Sequence, residues 1–180
     1  MVTFRDLGVA ANARQIRAHG MSNDRRYWHE AWGTNLRLTN IQAALGLAQL
    51  RRIDSILARK NALAQRYDNL LAPMKALGLQ TPALPPTGQH SHWLYTVLLP
   101  DGVDPDLVCA DMLRDGVETR RVFYPLHLQP AFEKYANDTS YPVSSAISDR
   151  GLSLPSSVTL SESQLEHVAG SLEKSLRALL

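Results

Sequence analysis

An amide and a guanidinium stand two residues apart in residues 33–40, GTNLRLTN, just before a predicted helix. Thr39 and Gln42 have the spacing of a capping box, so a helix should start directly after Thr39. The first N–H groups of a helix lack partners within it, and the helix dipole makes this end attractive to anions. Asn35 and Arg37 would add hydrogen bonds and charge. The segment is therefore a candidate phosphate site, and a polar loop with Asn35 in a turn is the alternative.

Two further segments combine basic and aromatic side chains. Residues 25–29, RRYWH, can stack on a ring or hold a phosphate, and the alternative is a loop held in place by its own aromatic side chains. Residues 118–130, ETRRVFYPLHLQP, offer a guanidinium, a phenol and an imidazole over a short stretch: Arg120, Tyr124 and His127. Such groups can bind a sugar hydroxyl, a diphosphate or a carboxylate. A histidine beside proline can equally be satisfied within the fold.

Other chemistries receive little support from the sequence. His90 and His92 share one face of a predicted strand, but two histidines without a third ligand do not form a zinc site, so we expect no metal. The chain contains no G-x-S-x-G motif and no glycine pattern of a P-loop or Rossmann fold. The single cysteine, Cys109, excludes an intrachain disulfide.

The composition is that of an ordinary globular protein. The 180 residues are 44% hydrophobic and 20% charged, with a net charge of +2. That balance argues against a dedicated nucleic-acid-binding protein, which would concentrate basic charge. No apolar run approaches the ~18 residues of a membrane helix, and the N-terminal residues lack the apolar core of a signal peptide. We therefore expect a cytoplasmic protein of one domain, or one domain plus part of another.

Hydrophobic patterns predict the elements that must position these residues. Asp6 should cap a helix that ends near His19, and an irregular loop should follow as far as Asn35. One long helix is expected over residues 40–71. Its first part, residues 41–50, is apolar nearly all round, which predicts burial in a larger body or a dimer interface, whereas its second part is amphipathic.

After a junction rich in proline and glycine at residues 79–88, the pattern predicts a small α+β domain. Its predicted elements are strands at 92–99, 118–123 and 152–155, a short helix before the last strand, and helices that begin after Asp104 and after Ser161. Alternation along the first strand predicts that one face carries Trp93, Tyr95, Val97 and Leu99.

The segment of residues 19–54 resembles a signature of the DegT/StrS group of pyridoxal-phosphate-dependent nucleotide-sugar aminotransferases, most closely the perosamine synthetase type. Residues 33–40 match the family's G-x-N-x-R-x-(T/S)-(N/D) element, and residues 118–130 resemble its G-(I/V)-x-T-R-x-x-(F/Y)-x-P-L-H-x-Q-P segment. The resemblance implies the α/β fold of the fold-type-I transferases. Residues 1–78 would be the tail of the large cofactor-binding domain with its long helix, and residues 79–180 the small C-terminal α+β domain.

The resemblance also implies roles for individual residues. Asn35 would contact the cofactor phosphate of the other subunit of a homodimer, with Arg37 nearby. The loop that carries Trp28 and His29 would lie near the substrate entrance. The small domain would cover the mouth of the active site with the remaining substrate-binding candidates: Arg120, Tyr124 and His127. The parent reaction would move an amino group from glutamate to a keto carbon of a nucleotide-linked deoxysugar.

In the family, the cofactor lysine precedes the strand to which residues 1–3 correspond. We therefore expect the chain to be the C-terminal part of such an enzyme and to be inactive alone. None of its lysines matches the family position, and none is expected in a setting that lowers its pKa: Lys60, Lys75, Lys134 and Lys174. Thr34 and Leu36 stand where the family often has aromatic residues, which predicts a different sugar pocket.

Three alternatives follow from the same resemblance. The first is a non-catalytic dimerisation or binding remnant, the second is half of a split enzyme with a separate N-terminal partner, and the third is part of a dehydratase variant in which histidine replaces the lysine. We also expect the isolated chain to aggregate or to form oligomers, because residues 41–50 would present an uncovered apolar surface.

Overall fold

A computed structural model describes residues 2–83, 87–88, 90–135 and 140–180. The chain divides into two compact units, Met1–Arg52 and Ile53–Leu180, and each is described by itself. The predicted boundary after residue 78 refers to the domains of a complete enzyme and stays a prediction. No helix in the described ranges is long and apolar enough to cross a membrane.

The first unit begins with helix α1, Leu7–Arg17. Asp6 caps it as predicted, because its carboxylate accepts the N–H of Val9 at 2.8 Å. The helix ends two residues earlier than predicted. The physical reason is that His19 and Gly20 take left-handed φ values of 65° and 66°, which a helix cannot continue.

Helix α2, Asn40–Leu50, begins at the predicted capping box. The Thr39 hydroxyl accepts the N–H of Gln42 at 3.2 Å, and the Gln42 side chain accepts the N–H of Thr39 at 2.9 Å. No residue of α2 is buried by the described part of the chain, and Ile41 is 76% exposed. The predicted burial of this helix therefore requires something other than the residues described.

The second unit begins with helix α3, Ile53–Leu71, so the single helix predicted over residues 40–71 is present as two helical segments. Arg51 and Arg52 form a turn between them. The N–H of Arg52 bonds to the carbonyl of Gln49 at 3.0 Å. This bond spans three residues, as in a 3₁₀-helix, so the turn is narrower here than in an α-helix. The rear segment is amphipathic as predicted, and its buried residues are Leu63, Ala64, Tyr67 and Leu71.

A small antiparallel sheet forms the centre of the second unit. Its strands are β1, Tyr95–Leu98, β2, Arg120–Arg121, and β3, Gly151–Leu154, in the order β1-β3-β2. The first two strands are shorter than predicted. Trp93 is 71% exposed rather than buried, because His92 turns the chain with a φ of 45° before the strand begins.

Three helices complete this unit: α4, Pro105–Arg114, α5, Pro142–Arg150, and α6, Glu162–Leu179. Asp104 caps α4 and Ser161 forms a capping box at the start of α6, both as predicted. Helices α3 and α4 both pack against α6. The apolar stripe predicted on α6 is confirmed as part of the core by its buried residues: Leu165, Val168, Leu172 and Leu176.

Candidate functional site

In the first unit, the loop between α1 and α2 is tied back to the end of α1. Three backbone hydrogen bonds hold it: Thr34 N–H to Ile16 O at 2.9 Å, Leu36 N–H to Arg17 O at 3.1 Å, and His19 N–H to Thr34 O at 3.2 Å. A Cβ atom on Gly33 would lie 2.1 Å from the backbone nitrogen of Gly20. The return of the loop therefore requires glycine at position 33, and it places Asn35 at a defined point before α2.

Asn35 and Arg37 stand exposed between this return and the start of α2. The Asn35 side-chain oxygen accepts the N–H of Arg37 at 3.2 Å, which is the turn conformation that the sequence offered as an alternative. With the oxygen so engaged, the NH2 group of Asn35 remains to donate to a ligand. Asn35 can thus form the turn and bind an anion at the same time.

A broad open cavity of about 970 Å³ lies beside Arg37. Most of its lining is apolar and includes Phe4, and three arginines add positive charge: Arg14, Arg17 and Arg37. Arginine binds phosphate oxygens through several N–H groups at once. The cavity beside Arg37 therefore favours an anion, although Asn35 itself does not line it.

The loop of residues 21–33 is stabilised by its own side chains. The guanidinium of Arg25 lies 4.4 Å from the centre of the Trp28 ring, and the backbone carbonyl of Trp28 accepts the N–H of Ser22 at 2.8 Å. The His29 Nδ1 atom donates to the carbonyl oxygen of His19 at 2.8 Å. That bond leaves the Nε2 atom of His29 as the ring nitrogen available to a ligand.

In the second unit, the two arginines of β2 point to opposite faces of the sheet, as alternation in a strand requires. Arg121 forms an ion pair with Asp106 of α4 at 2.7 Å, and its guanidinium lies 5.4 Å from the Tyr124 ring. Arg120 pairs across the sheet with Ser153, and its side chain is 79% exposed. Its ion pair with exposed Glu118, at 3.6 Å, is loose enough for Arg120 to turn to a ligand.

Arg120 lines an open cavity of about 470 Å³ between the sheet and α6, with Ser153, Ser156 and His167 among the polar side chains in the lining. Tyr124 does not line this cavity and lies beside Arg121 instead. The three substrate candidates of this unit are therefore not gathered into a single cluster by their own contacts.

The third candidate, His127, is half-buried. Its ring lies 4.9 Å from that of Tyr141, and its Nε2 atom is 3.5 Å from the Ser145 hydroxyl. Sequence reasoning missed both Tyr141 and Arg121 as neighbours of the candidate residues. Strand alternation was the signal that could have placed Arg121 on the face opposite Arg120, whereas no local pattern indicated Tyr141.

Two lysines of this chain, Lys60 and Lys174, are engaged in structural contacts, and Lys60 corrects a prediction. The Lys60 ammonium donates to the carbonyls of Trp93, at 3.1 Å, and Ser156. Burial lowers the pKa of Lys60, contrary to the expectation that no lysine lies in a desolvated setting. Lys174 pairs with Asp115 at 2.8 Å. Within the described ranges, no three histidine, cysteine, aspartate or glutamate side chains are grouped so that they could hold a metal ion.

Comparison with known proteins assigns the chain to a family. The sequence profile of the DegT/DnrJ/EryC1/StrS aminotransferase family matches residues 1–173. The chain belongs to this family. It is 38% identical over 178 residues to the GDP-perosamine synthase of Caulobacter vibrioides, with 98% of this chain and 47% of that protein covered. The GDP-perosamine synthase of Vibrio cholerae is 33% identical over 156 residues, with 86% and 42% covered.

The fold agrees with the solved structure of an aminotransferase. The aminotransferase TlmJ from Streptoalloteichus hindustanus superimposes with a TM-score of 0.84 at 31% identity, over 98% of this chain and 47% of that one. The α/β fold predicted from the resemblance, that of the C-terminal part of a fold-type-I transferase, is therefore confirmed. The chain spans about half the length of the relatives it matches.

The donor groups of the first unit fit one end of pyridoxal phosphate, the cofactor that the family implies. The amide of Asn35 and the guanidinium of Arg37 are exposed at a helix N-terminus, where a phosphate is favoured. The aldehyde end needs an uncharged amine, and Lys60 and Lys174 are already engaged by carbonyl and carboxylate oxygens. The donor groups therefore fit the phosphate end, and neither Lys60 nor Lys174 is free for the covalent attachment at the aldehyde end.

Proposed function

We propose that this chain is the C-terminal part of a cytoplasmic, homodimeric, pyridoxal-phosphate-dependent aminotransferase that moves an amino group from glutamate to a keto-deoxysugar nucleotide. The observation that carries the proposal is the pairing of an exposed amide and guanidinium, Asn35 and Arg37, before a capped helix in a chain of this family. The similarity to two GDP-perosamine synthases favours a GDP-linked 4-keto-6-deoxyhexose as the acceptor.

In this proposal, Asn35 and Arg37 bind the cofactor phosphate. The turn in which the Asn35 oxygen accepts the Arg37 N–H orients the amide, so that the NH2 group donates to the anion without a loss of side-chain freedom on binding. Arg37 supplies a full positive charge. When bound, pyridoxal phosphate supplies the carbon atom that carries the amino group between the two substrates.

The remaining candidates are proposed to bind substrate. The exposed Trp28 ring, fixed from one side by Arg25, offers an aromatic face, and His29 offers its free Nε2 atom. Arg120 is proposed to bind an anionic group, because its ion pair with Glu118 is long and exposed. Tyr124 and His127 present a phenol and an imidazole from the same small domain.

A first experiment tests the reaction on the protein purified from its native cells. Its intact mass decides whether the polypeptide is near 20.0 kDa or about twice as long, as the relatives are. Incubation with glutamate and a GDP-linked 4-keto-6-deoxyhexose should yield 2-oxoglutarate and an aminated sugar nucleotide in equal amounts. Loss of water from the sugar without 2-oxoglutarate would identify the dehydratase variant. The absence of both products would favour a non-catalytic remnant or a missing partner half.

A second experiment tests the phosphate site. Asn35→Ala in the full-length protein should weaken pyridoxal phosphate binding about tenfold to a hundredfold, the range expected for a lost hydrogen bond to a charged group. Asn69→Ala is the matched control, because Asn69 is an exposed asparagine on α3. Binding would be measured by the change in cofactor absorbance. Equal affinity in the two variants would show that Asn35 does not hold the phosphate.

A further inference from the structure

Two histidines form an unusual contact at the entry to β1. The backbone N–H of His92 donates to the Nδ1 atom of His90 at 3.0 Å, and the two rings meet edge to face with centres 4.4 Å apart. His92 is only 6% exposed, takes a left-handed φ of 45°, and has a buried Nδ1 atom with no hydrogen-bond partner. A strained, incompletely bonded residue of this kind must be held by its neighbours.

The neighbours of His92 come from helix α3 and from its own segment. Lys60 of α3 donates to the carbonyl of Trp93, which also accepts the Ser156 hydroxyl at 3.0 Å. Asp68 of α3 is a carboxylate that acts on the His92 ring, and it already accepts the Tyr95 hydroxyl at 2.6 Å. The group closest in sequence is His90, which is exposed to solvent. His92 thus faces one ammonium, one occupied carboxylate and one imidazole that solvent can protonate.

The hydrogen bond between the two histidines depends on the protonation state of His90. A ring nitrogen accepts a hydrogen bond only while it carries no proton, and imidazolium has no acceptor atom. Protonation of His90 therefore removes the partner of the His92 N–H. It also places a positive charge beside the His92 ring. Burial, the His90 charge and Lys60 all lower the pKa of His92, against an opposite effect of Asp68.

We propose that His90 and His92 form an acid-operated latch: a neutral His90 ring holds residues 90–93 in the strained entry to β1, and protonation of His90 releases them. Histidine is the side chain whose charge changes in the range of about pH 5 to 8. The consequence is local. Residues 90–93 open while the core of the second unit stays folded, and the exposed Trp93 side chain changes its position with them.

Amide hydrogen exchange on the full-length protein tests the latch. Exchange at residues 92–94 would be measured at pH 7.5 and pH 5.5 and corrected for the intrinsic pH dependence of exchange. Protection should fall about tenfold at the lower pH, the factor expected for one lost hydrogen bond with added charge repulsion. Amides of α6 in the same sample should keep their protection, which separates local release from global unfolding.

Three variants make the result specific. His90→Asn keeps an acceptor oxygen close to the place of Nδ1 but cannot be protonated. The amides of residues 92–94 should therefore remain protected from exchange at both pH values in this variant. His90→Ala has no acceptor and should be unprotected at both. His167→Asn is the control, because His167 lies on α6, where its ring nitrogen contacts the carbonyl of Asp115 at 2.9 Å, and this variant should respond to pH like the wild type.

Two outcomes would overturn the proposal. The first is wild-type protection at residues 92–94 that does not change with pH. The second is a fall in His90→Asn as large as that in the wild type. If the pH-dependent fall in protection persisted in His90→Asn and disappeared in His92→Asn, the group whose protonation opens the segment would be His92. The assignment to His90 would then be wrong.

Discussion

Replacement of Gly33 by alanine tests whether backbone packing in the loop positions the candidate cofactor-binding residues. The added Cβ atom would lie 2.1 Å from Gly20 N, 2.6 Å from His19 C and 2.7 Å from Ile16 O. All three are backbone atoms, so no side-chain rotation can relieve the overlap. The φ angle of Gly33 is not among the positive values in this chain, so the effect of the substitution is steric rather than conformational.

The expected magnitude follows from the hydrogen bonds that the displaced loop would lose. Thr34 N–H to Ile16 O, His19 N–H to Thr34 O and Leu36 N–H to Arg17 O all cross this contact. At about 1 kcal/mol for each backbone bond, Gly33→Ala should destabilise the loop by about 3 kcal/mol. That value corresponds to an increase of roughly a hundredfold in the equilibrium constant for local opening.

The assay is amide hydrogen exchange at residues 34–36, together with urea unfolding followed by circular dichroism. Gly170→Ala makes the same chemical change in the interior of α6, where a Cβ atom would have no neighbour within 4 Å. This control should be more stable than the wild type by about 0.5–1 kcal/mol, because alanine favours the helix. A Gly33→Ala protein whose loop protection is unchanged would refute the claim that close packing positions Asn35.

Two further predictions concern the second unit. Hydrogen bonds from Lys174 and Ser171 lower the pKa of Asp115, so the stability it contributes is present above about pH 4 and is lost as pH falls through the lowered pKa. In Asp115→Asn, the urea midpoint of unfolding should therefore fall less at acid pH than it does in the wild type. Exposed Asp149→Asn is the control and should not have this effect. Leu172→Ala should reduce the free energy of unfolding by about 2–5 kcal/mol, because Leu172 is fully buried in α6. Leu179→Ala, at the exposed end of the same helix, should lower it by less than about 1 kcal/mol, and equal losses would contradict the core assignment.

The elements that sequence predicted best are those with local causes. The caps at Asp6, Thr39, Asp104 and Ser161 depend on a side chain and an N–H two or three residues away, so the local sequence contains the whole interaction. The apolar stripe of α6 is equally local, because a helical period brings its residues to one face. The family motifs at residues 33–40 and 118–130 are local as well, and the family assignment that they predicted is confirmed.

The predictions that failed depended on contacts distant in the sequence. Trp93 follows the alternation of a strand, but the left-handed turn at His92 removes it from the sheet. The lowered pKa of Lys60 results from burial beside Trp93 and Ser156, which are 33 and 96 residues away. Nothing within a few residues of Lys60 indicates either contact.

The sequence by itself determined the family, the helix starts, the amphipathic faces and the residue types available for binding. The tertiary structure decided how those residues are used. It bound the Asn35 oxygen to Arg37, placed Arg120 in a cavity apart from Tyr124, and set His127 against Tyr141. The physical reason is the distance along the chain over which each kind of interaction acts. Capping and periodicity act within one or two turns of the chain, whereas burial and cavity lining depend on which distant segments meet.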